Sequence, residues 1–227
     1  PSSDYSQIEL RIFASLAGAD NLIDAFIHGA DIHAKTASDI FGVPIDKVDK
    51  NMRRTAKAVN FGILYGISSF GLSEDLGIDI ISAKSFIDSY LNTYPKIKQY
   101  MNEVIQDAKE KGYVKTIMNR KRVIDELNNK NYMIRQQGER IALNTPVQGS
   151  SADILKKAMI EIYQEFNNRN LKSKMLIQVH DELVFNVLND ELDIVKEIVE
   201  RIMENTYQLN VPLKVDIEVG NDWYEAK

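Results

Sequence analysis

Cysteine is absent from all 227 residues, which excludes disulfides and thiolate metal sites and fits a reducing cytoplasm, the expected location. Long apolar runs are absent too. No stretch reaches the roughly 18 residues that a bilayer span requires, and the opening PSSDYSQIELR lacks the basic and apolar regions of a signal peptide. No membrane partner is therefore expected. Proline and glycine, 5 and 11 residues, are scattered as punctuation, with no low-complexity linker or internal repeat. What is present is 44% hydrophobic residues, enough to bury the core of one large domain or two small ones.

The net charge of −5 argues against a nucleic-acid partner only if its distribution is ignored. Residues 186–227 hold ten acids against four bases, a balance of −6, which leaves +1 for everything before them. Residues 47–57 carry Lys47, Lys50, Arg53, Arg54 and Lys57 against Asp49, and residues 109–122 carry six bases against Glu110. Each run is either a phosphate-facing patch or a solvated helix face or turn.

Ile8, Ile12 and Leu16 recur every fourth residue between Ser6, a candidate cap, and Gly18, a natural stop, which predicts a helix just after Asp4. A long helix is expected from near Asp46 through Tyr65, with others over residues 82–92 and 95–111. Residues 113–117 and 122–124 read as a small hairpin, and residues 132–168 as helix, bent or divided by Pro146 and Gly149. Residues 174–179 and 183–187 are β-prone runs around His180, Asp181 and Glu182. Residues 190–207 follow as an amphipathic helix. The closing strand, over 213–219, has Leu213, Val215, Ile217 and Val219 alternating. The predicted class is α+β, with an antiparallel sheet built from the chain's ends and helices in its middle.

Three constellations carry chemistry. In DYSQIELR, Asp4 stands at a strand-to-helix junction and Glu9 follows; taken alone, Asp4 reads first as a helix N-cap, the commoner role for an isolated Asp before a helix. In RRTAKAVNFGILYG, Arg53, Lys57, Phe61 and Tyr65 are four residues apart. Each step turns a helix by roughly 400°, so they form one slanting stripe, cationic and then aromatic. That order suits a nucleotide, while the alternative is a helix whose rings pack in a core and whose bases reach for water. Gly62 and Gly66 point away from a plain core helix, since each costs about 1 kcal/mol against alanine. In QVHDELVF, acids occupy a hairpin tip without the glycine or asparagine a plain turn prefers. Carboxylates are the hard ligands magnesium requires, and two brought together bridge ions about 4 Å apart, whereas His180 suits softer metals.

These three segments, in this order and spacing, resemble motifs A, B and C of family A DNA polymerases. The resemblance extends through DIHAKTA at residues 31–37, RIALNTPVQGSSADI at 140–154 and the terminal GNDWYEAK, covering nearly the whole chain. It implies a palm sheet with an inserted helical fingers subdomain, divided as 1–30 palm, 31–132 fingers and 133–227 palm. It also implies two magnesium ions held by Asp4, Asp181 and the Tyr5 carbonyl, with Glu182 as a supporting acid.

By the same resemblance, Arg53, Lys57 and His33 meet the incoming triphosphate, and Lys57 is a candidate general acid for departing pyrophosphate. Phe61 is similar to the ring near the incoming sugar and base, and Tyr65 to the ring at the template base. Gln7 is grouped with the nucleotide-binding residues, and Glu9 resembles the steric gate against a ribose 2′-hydroxyl. Arg11, Arg140, Asn144 and Gln148 resemble duplex contacts, the last three in the minor groove, and His180 is expected near the primer end. The implied partners are primer-template DNA and deoxynucleoside triphosphates, and the implied activity is templated nucleotidyl transfer in replication and repair by a monomeric full-length enzyme.

The resemblance starts at motif A. The thumb and first palm strands of the family are therefore expected to be missing, leaving an uncovered sheet edge and a chain that extends primers poorly by itself. Single-subunit RNA polymerases are the nearest alternative, opposed by Glu9 and the HDE tip. A binding module without catalysis is opposed by the joint presence of Asp4, Asp181, Arg53 and Lys57.

Overall fold

A computed structural model describes residues 1–226; Lys227, the last residue of the expected 133–227 segment, lies outside the described residues. The elements run β1 (Ser2–Tyr5), α1 (Ile8–Ala17), α2 (Asp20–Ile27), α3 (Ile32–Phe41), α4 (Lys50–Leu64), α5 (Ser69–Leu76), α6 (Ile80–Thr93) and α7 (Pro95–Lys111). They continue with β2 (Tyr113–Lys115), β3 (Lys121–Val123), α8 (Tyr132–Asn168), β4 (Lys174–Val179), β5 (Glu182–Asn186), α9 (Leu192–Asn205) and β6 (Val215–Glu218). The α+β class with terminal strands and central helices is the architecture found. Two contact-dense units make it up, one of Pro1–Glu9 with the chain from Ser150 onward, the other Leu10–Gly149. Their limits fall inside α1 and α8.

In the first unit an antiparallel sheet has the order β4-β5-β1-β6. Helix α9 explains its own placement: Val195, Ile198, Val199, Ile202 and Met203 repeat at helical spacing and are all buried. Each such side chain contributes about 1.5–3 kcal/mol relative to exposure. The C-terminal half of α8 adds Ile154, Ala158, Ile162 and Phe166, the last in ring contact with Phe185 of β5 at 6.1 Å. Edge strand β4 carries a register shift between Met175 and Ile177 and leaves Leu176 and Ile177 exposed. Val219, expected as the inward end of the last strand, lies one residue past β6 and is exposed.

The second unit is helical apart from the β2–β3 hairpin, whose Val114 packs with Ala108, Ile124, Leu127 and Ala142. Helix α4 starts at Lys50 instead of near Asp46, because Ile45–Lys47 forms a separate 3-10 turn and the Asp49 side chain caps the helix through Met52 N–H. Helix α8 is neither ended nor divided at Pro146 or Gly149. Its buried face, Ala142, Leu143, Val147 and Ile154, runs through the proline, so packing outweighs the lost backbone bond.

Burial on these faces sets a contrast between two isoleucines. Ile198→Ala should cost about 2–5 kcal/mol in urea denaturation, whereas Ile160→Ala, at a position 58% exposed, should stay within about 0.5 kcal/mol. Equal losses would contradict the packing described.

Candidate active site

Strand β1 lies between β5 and β6, and its register places Asp4 opposite Glu182 on one side and Asp216 on the other. Directly opposed residues of antiparallel strands share a face, so three carboxylates stand side by side. Asp181 occupies the turn between β4 and β5 immediately before Glu182, and its backbone carbonyl accepts from Tyr5 N–H at 3.4 Å. Asp4 is thus a strand residue in the middle of the sheet, and the helix-cap alternative does not apply, since α1 begins only at Ile8.

Crowding has an electrostatic cost. Burial, then the charges of Asp181, Glu182 and Asp216, push the Asp4 carboxyl up to about 6, with the Tyr5 backbone N–H opposing them. Tyr5 itself is buried, its hydroxyl donating to the Met203 carbonyl at 2.7 Å, which ties the end of β1 to α9. The turn's backbone demand falls on His180, with φ of 54°, in the left-handed region where glycine is usual; Gln178 Nε2 donates to its carbonyl at 2.7 Å. Gln7, at φ 56°, makes the matching sharp exit from β1 into α1. Glu9 is half-buried in the first turn of that helix.

Among the described residues no three carboxylate or imidazole groups converge into a closed metal cage. Magnesium takes few protein carboxylates and keeps its waters and substrate phosphates. An open pair of acids whose mutual repulsion a divalent cation would relieve fits it.

In the helical unit, α4 buries Ala56, Val59, Asn60 and Ile63 against its neighbours α3 and α6 and leaves Arg53 and Lys57 exposed. Phe61 and Tyr65 are half-buried on the same open side, ring centroids 6.4 Å apart and 23° from parallel. The stripe exists as a surface, and its rings are not core. With Arg54, Asp75 and Arg140, Lys57, Phe61 and Tyr65 line a cleft of about 610 Å³. Close packing at Gly62 shapes it: a Cβ there would meet the Ile67 side chain at 2.7 Å, while Gly66, at φ 65°, turns the chain out of the helix beside Arg140.

Arg53 instead pairs with Asp31, Nε to Oδ2 at 2.6 Å, and Asp31 also caps α3 through the N–H groups of His33 and Ala34. His33 is buried, its ring 5.9 Å from that of Phe61. Its Nδ1 lies 3.1 Å from the Asn60 amide nitrogen, a donor, so Nδ1 accepts and the ring proton sits on Nε2. Burial, aided by Arg53 and Lys57 and opposed by Asp31, lowers the His33 pKa to about 4, leaving the ring neutral at pH 7.

Asn144 and Gln148 follow Arg140 along α8 at four-residue steps, Gln148 exposed and Asn144 with a buried Oδ1 that has no partner. Arg11 is buried, its guanidinium 4.6 Å from the centre of the Phe26 ring, a packing role the sequence reading did not assign. Sequence reasoning also missed Asp216, Asp75, Asp31, Asn60 and Trp223 as site residues, and had Arg54 only as part of a basic run. Asp216 had a signal, an acid on the outward phase of the closing strand. Asn60 and Asp31 had none without the fold.

Residues 1–225 match the model of DNA polymerase family A, and the chain belongs to that family. Over 226 residues it is 51% identical to DNA polymerase I of Bacillus subtilis (strain 168), and it is 49% identical to DNA polymerase I of Geobacillus stearothermophilus. All of this chain but only 26% of each relative is covered, so it spans about a quarter of their length. The POL domain of Pol1 from M. smegmatis, solved in complex with DNA primer-template and dNTP, superposes with a TM-score of 0.95 at 41% identity, covering 99% of this chain and 40% of that one.

The raised Asp4 pKa has a sign that can be checked. Because the folded value of about 6 exceeds the unfolded 3.8, the native state binds more protons between them, and this group's contribution to stability falls as pH rises through that window. Without added metal, Asp4→Asn should raise Tm at pH 7.5, with the difference vanishing below about pH 4. An unchanged or lowered Tm at pH 7.5 would contradict the crowding.

Proposed function

We propose that this chain supplies the catalytic acids and the nucleotide-binding helix of a template-directed DNA polymerase, which joins a deoxynucleoside triphosphate to a primer 3′-hydroxyl and releases pyrophosphate. The observation that carries the reading is Asp4 set between Glu182 and Asp216, with Asp181 in the adjoining turn. Asp4, Asp181 and the Tyr5 carbonyl would hold two magnesium ions, which when bound activate the attacking hydroxyl and neutralise the leaving phosphate.

The remaining work belongs to the chain's own side chains. Arg53 and Lys57 bind the triphosphate, Arg53 exchanging its Asp31 partner for phosphate oxygens. Lys57 also hands a proton to the departing pyrophosphate. His33 donates from Nε2 as a neutral group, so it orients phosphate without adding charge. Phe61 packs on the incoming sugar and base, Tyr65 meets the template base, and Gln7 and Glu9 border the sugar, Glu9 denying room to a 2′-hydroxyl. Arg140, Asn144, Gln148 and His180 contact the primer-template duplex, while buried Arg11 packs on Phe26. For Asn144, the orphaned buried Oδ1 supports a polar partner from outside the chain. Replication and repair in a bacterial cytoplasm or nucleoid, by a monomeric full-length enzyme, complete the proposal.

In a full-length polymerase carrying these residues, Asp181→Asn should lower magnesium-dependent primer extension by more than about 10²-fold, the consequence of withdrawing several kcal/mol of charge stabilisation. Glu9→Ala should raise ribonucleotide use while deoxynucleotide use persists. Undiminished extension by the Asp181 variant would defeat the assignment.

A further inference from the structure

Two side-chain donors hold Glu182. Its Oε1 accepts from the Ser2 hydroxyl and from the Trp223 indole Nε1 at 2.6 Å. Ser2 lies two residues before Asp4 on β1, on the same face and buried, which puts its hydroxyl diagonally across from Glu182. Trp223 comes from the far end of the chain. The loop that delivers it is itself tied: Asn221 N and Nδ2 donate to Glu225 Oε2 at 2.9 Å, and Glu225 N donates to Asp222 Oδ1 at 2.9 Å. Ala226 is buried at its end.

The donors define what the carboxylate can do. An indole N–H only donates, so Trp223 satisfies a carboxylate oxygen and cannot itself ligate a cation. Two donors on Oε1 fill that oxygen's lone pairs and fix the carboxylate's rotation, which sets where Oε2 can reach; among the described residues no three acids converge on one metal position. Glu182 stands directly beside Asp4 and next in sequence to Asp181, so a freely rotating carboxylate there would be a third ligand within reach.

We propose that Ser2 and Trp223 are positioning residues that withhold Glu182 from the metal ions, keeping the coordination open for substrate while retaining the acid as a fixed charge. The inference rests on the metal-site reading of Asp4 and Asp181. It makes the C-terminal loop part of the active site's machinery, acting through Glu182 and not by contact with substrate.

Releasing the acid should add a ligand, so binding and turnover should move in opposite directions. Manganese binding to the 227-residue chain, followed by the EPR signal of free ion, should tighten by about tenfold in Ser2→Ala and in Trp223→Phe, as an added carboxylate ligand does. In a full-length polymerase carrying these residues, the same substitutions should slow primer extension. Trp223 is the only tryptophan of the chain, so its emission reports the site: manganese should quench it in the wild type and not in Asp181→Asn. Asp181-dependent manganese binding that is unchanged or weakened in both positioning variants would overturn the proposal while leaving the metal site intact. Manganese binding indifferent to Asp181→Asn would overturn the metal site and the proposal with it.

Discussion

The pairing of a four-residue strand, Ser2–Tyr5, between two strands drawn from the other end of the chain is the constraint on which the acidic site depends. Ladder hydrogen bonds and the burial of Tyr5 hold Asp4 against Glu182 and Asp216, although the three charges repel. Backbone pairing and the apolar packing of α9 and α8 are larger than that repulsion, so the fold tolerates a cluster that solvent alone would disperse. An acid raised to a pKa of about 6 by burial and then by its neighbours' charges is poised to exchange its proton for a cation.

In the helical unit a similar division of labour is made within one helix. The face of α4 that carries Ala56, Val59 and Ile63 secures it, which frees the opposite face to present cations and rings without structural duty. The buried Thr36–Asn60–His33 hydrogen bonds add direction, since they hold an imidazole that burial keeps neutral in one tautomer beside Phe61. A charged histidine there would add to the cationic face; a neutral one adds only a directed N–H.

Much of this was legible in the residues. Helix α7 occupies the residues its pattern indicates, the β2–β3 and β4–β5 hairpins lie where β-prone runs flank polar residues, and the stripe of α4 follows from four-residue spacing alone. Where reading went astray, longer-range packing decided. Helix α8 is not divided at Pro146, because a buried face continues through it, and β6 ends at Glu218, one residue short of Val219. The His180–Asp181 turn lacks the expected glycine because His180 itself accepts a left-handed backbone. Arg11 looks free as a letter in a motif and is buried on Phe26 in the fold.

The sequence by itself determined the family, the class of fold and the identities of the charged and aromatic groups, since periodicity and motif spacing are local properties carried by the chain's own order. Only tertiary structure decided what those groups do to one another. Asp181, nearly a chain length from Asp4, raises the pKa of Asp4 only once β1 is paired beside β5. Ser2 and Trp223 likewise act on Glu182 only through the fold, because Coulomb energies and hydrogen bonds depend on distances in space that no spacing along the chain encodes.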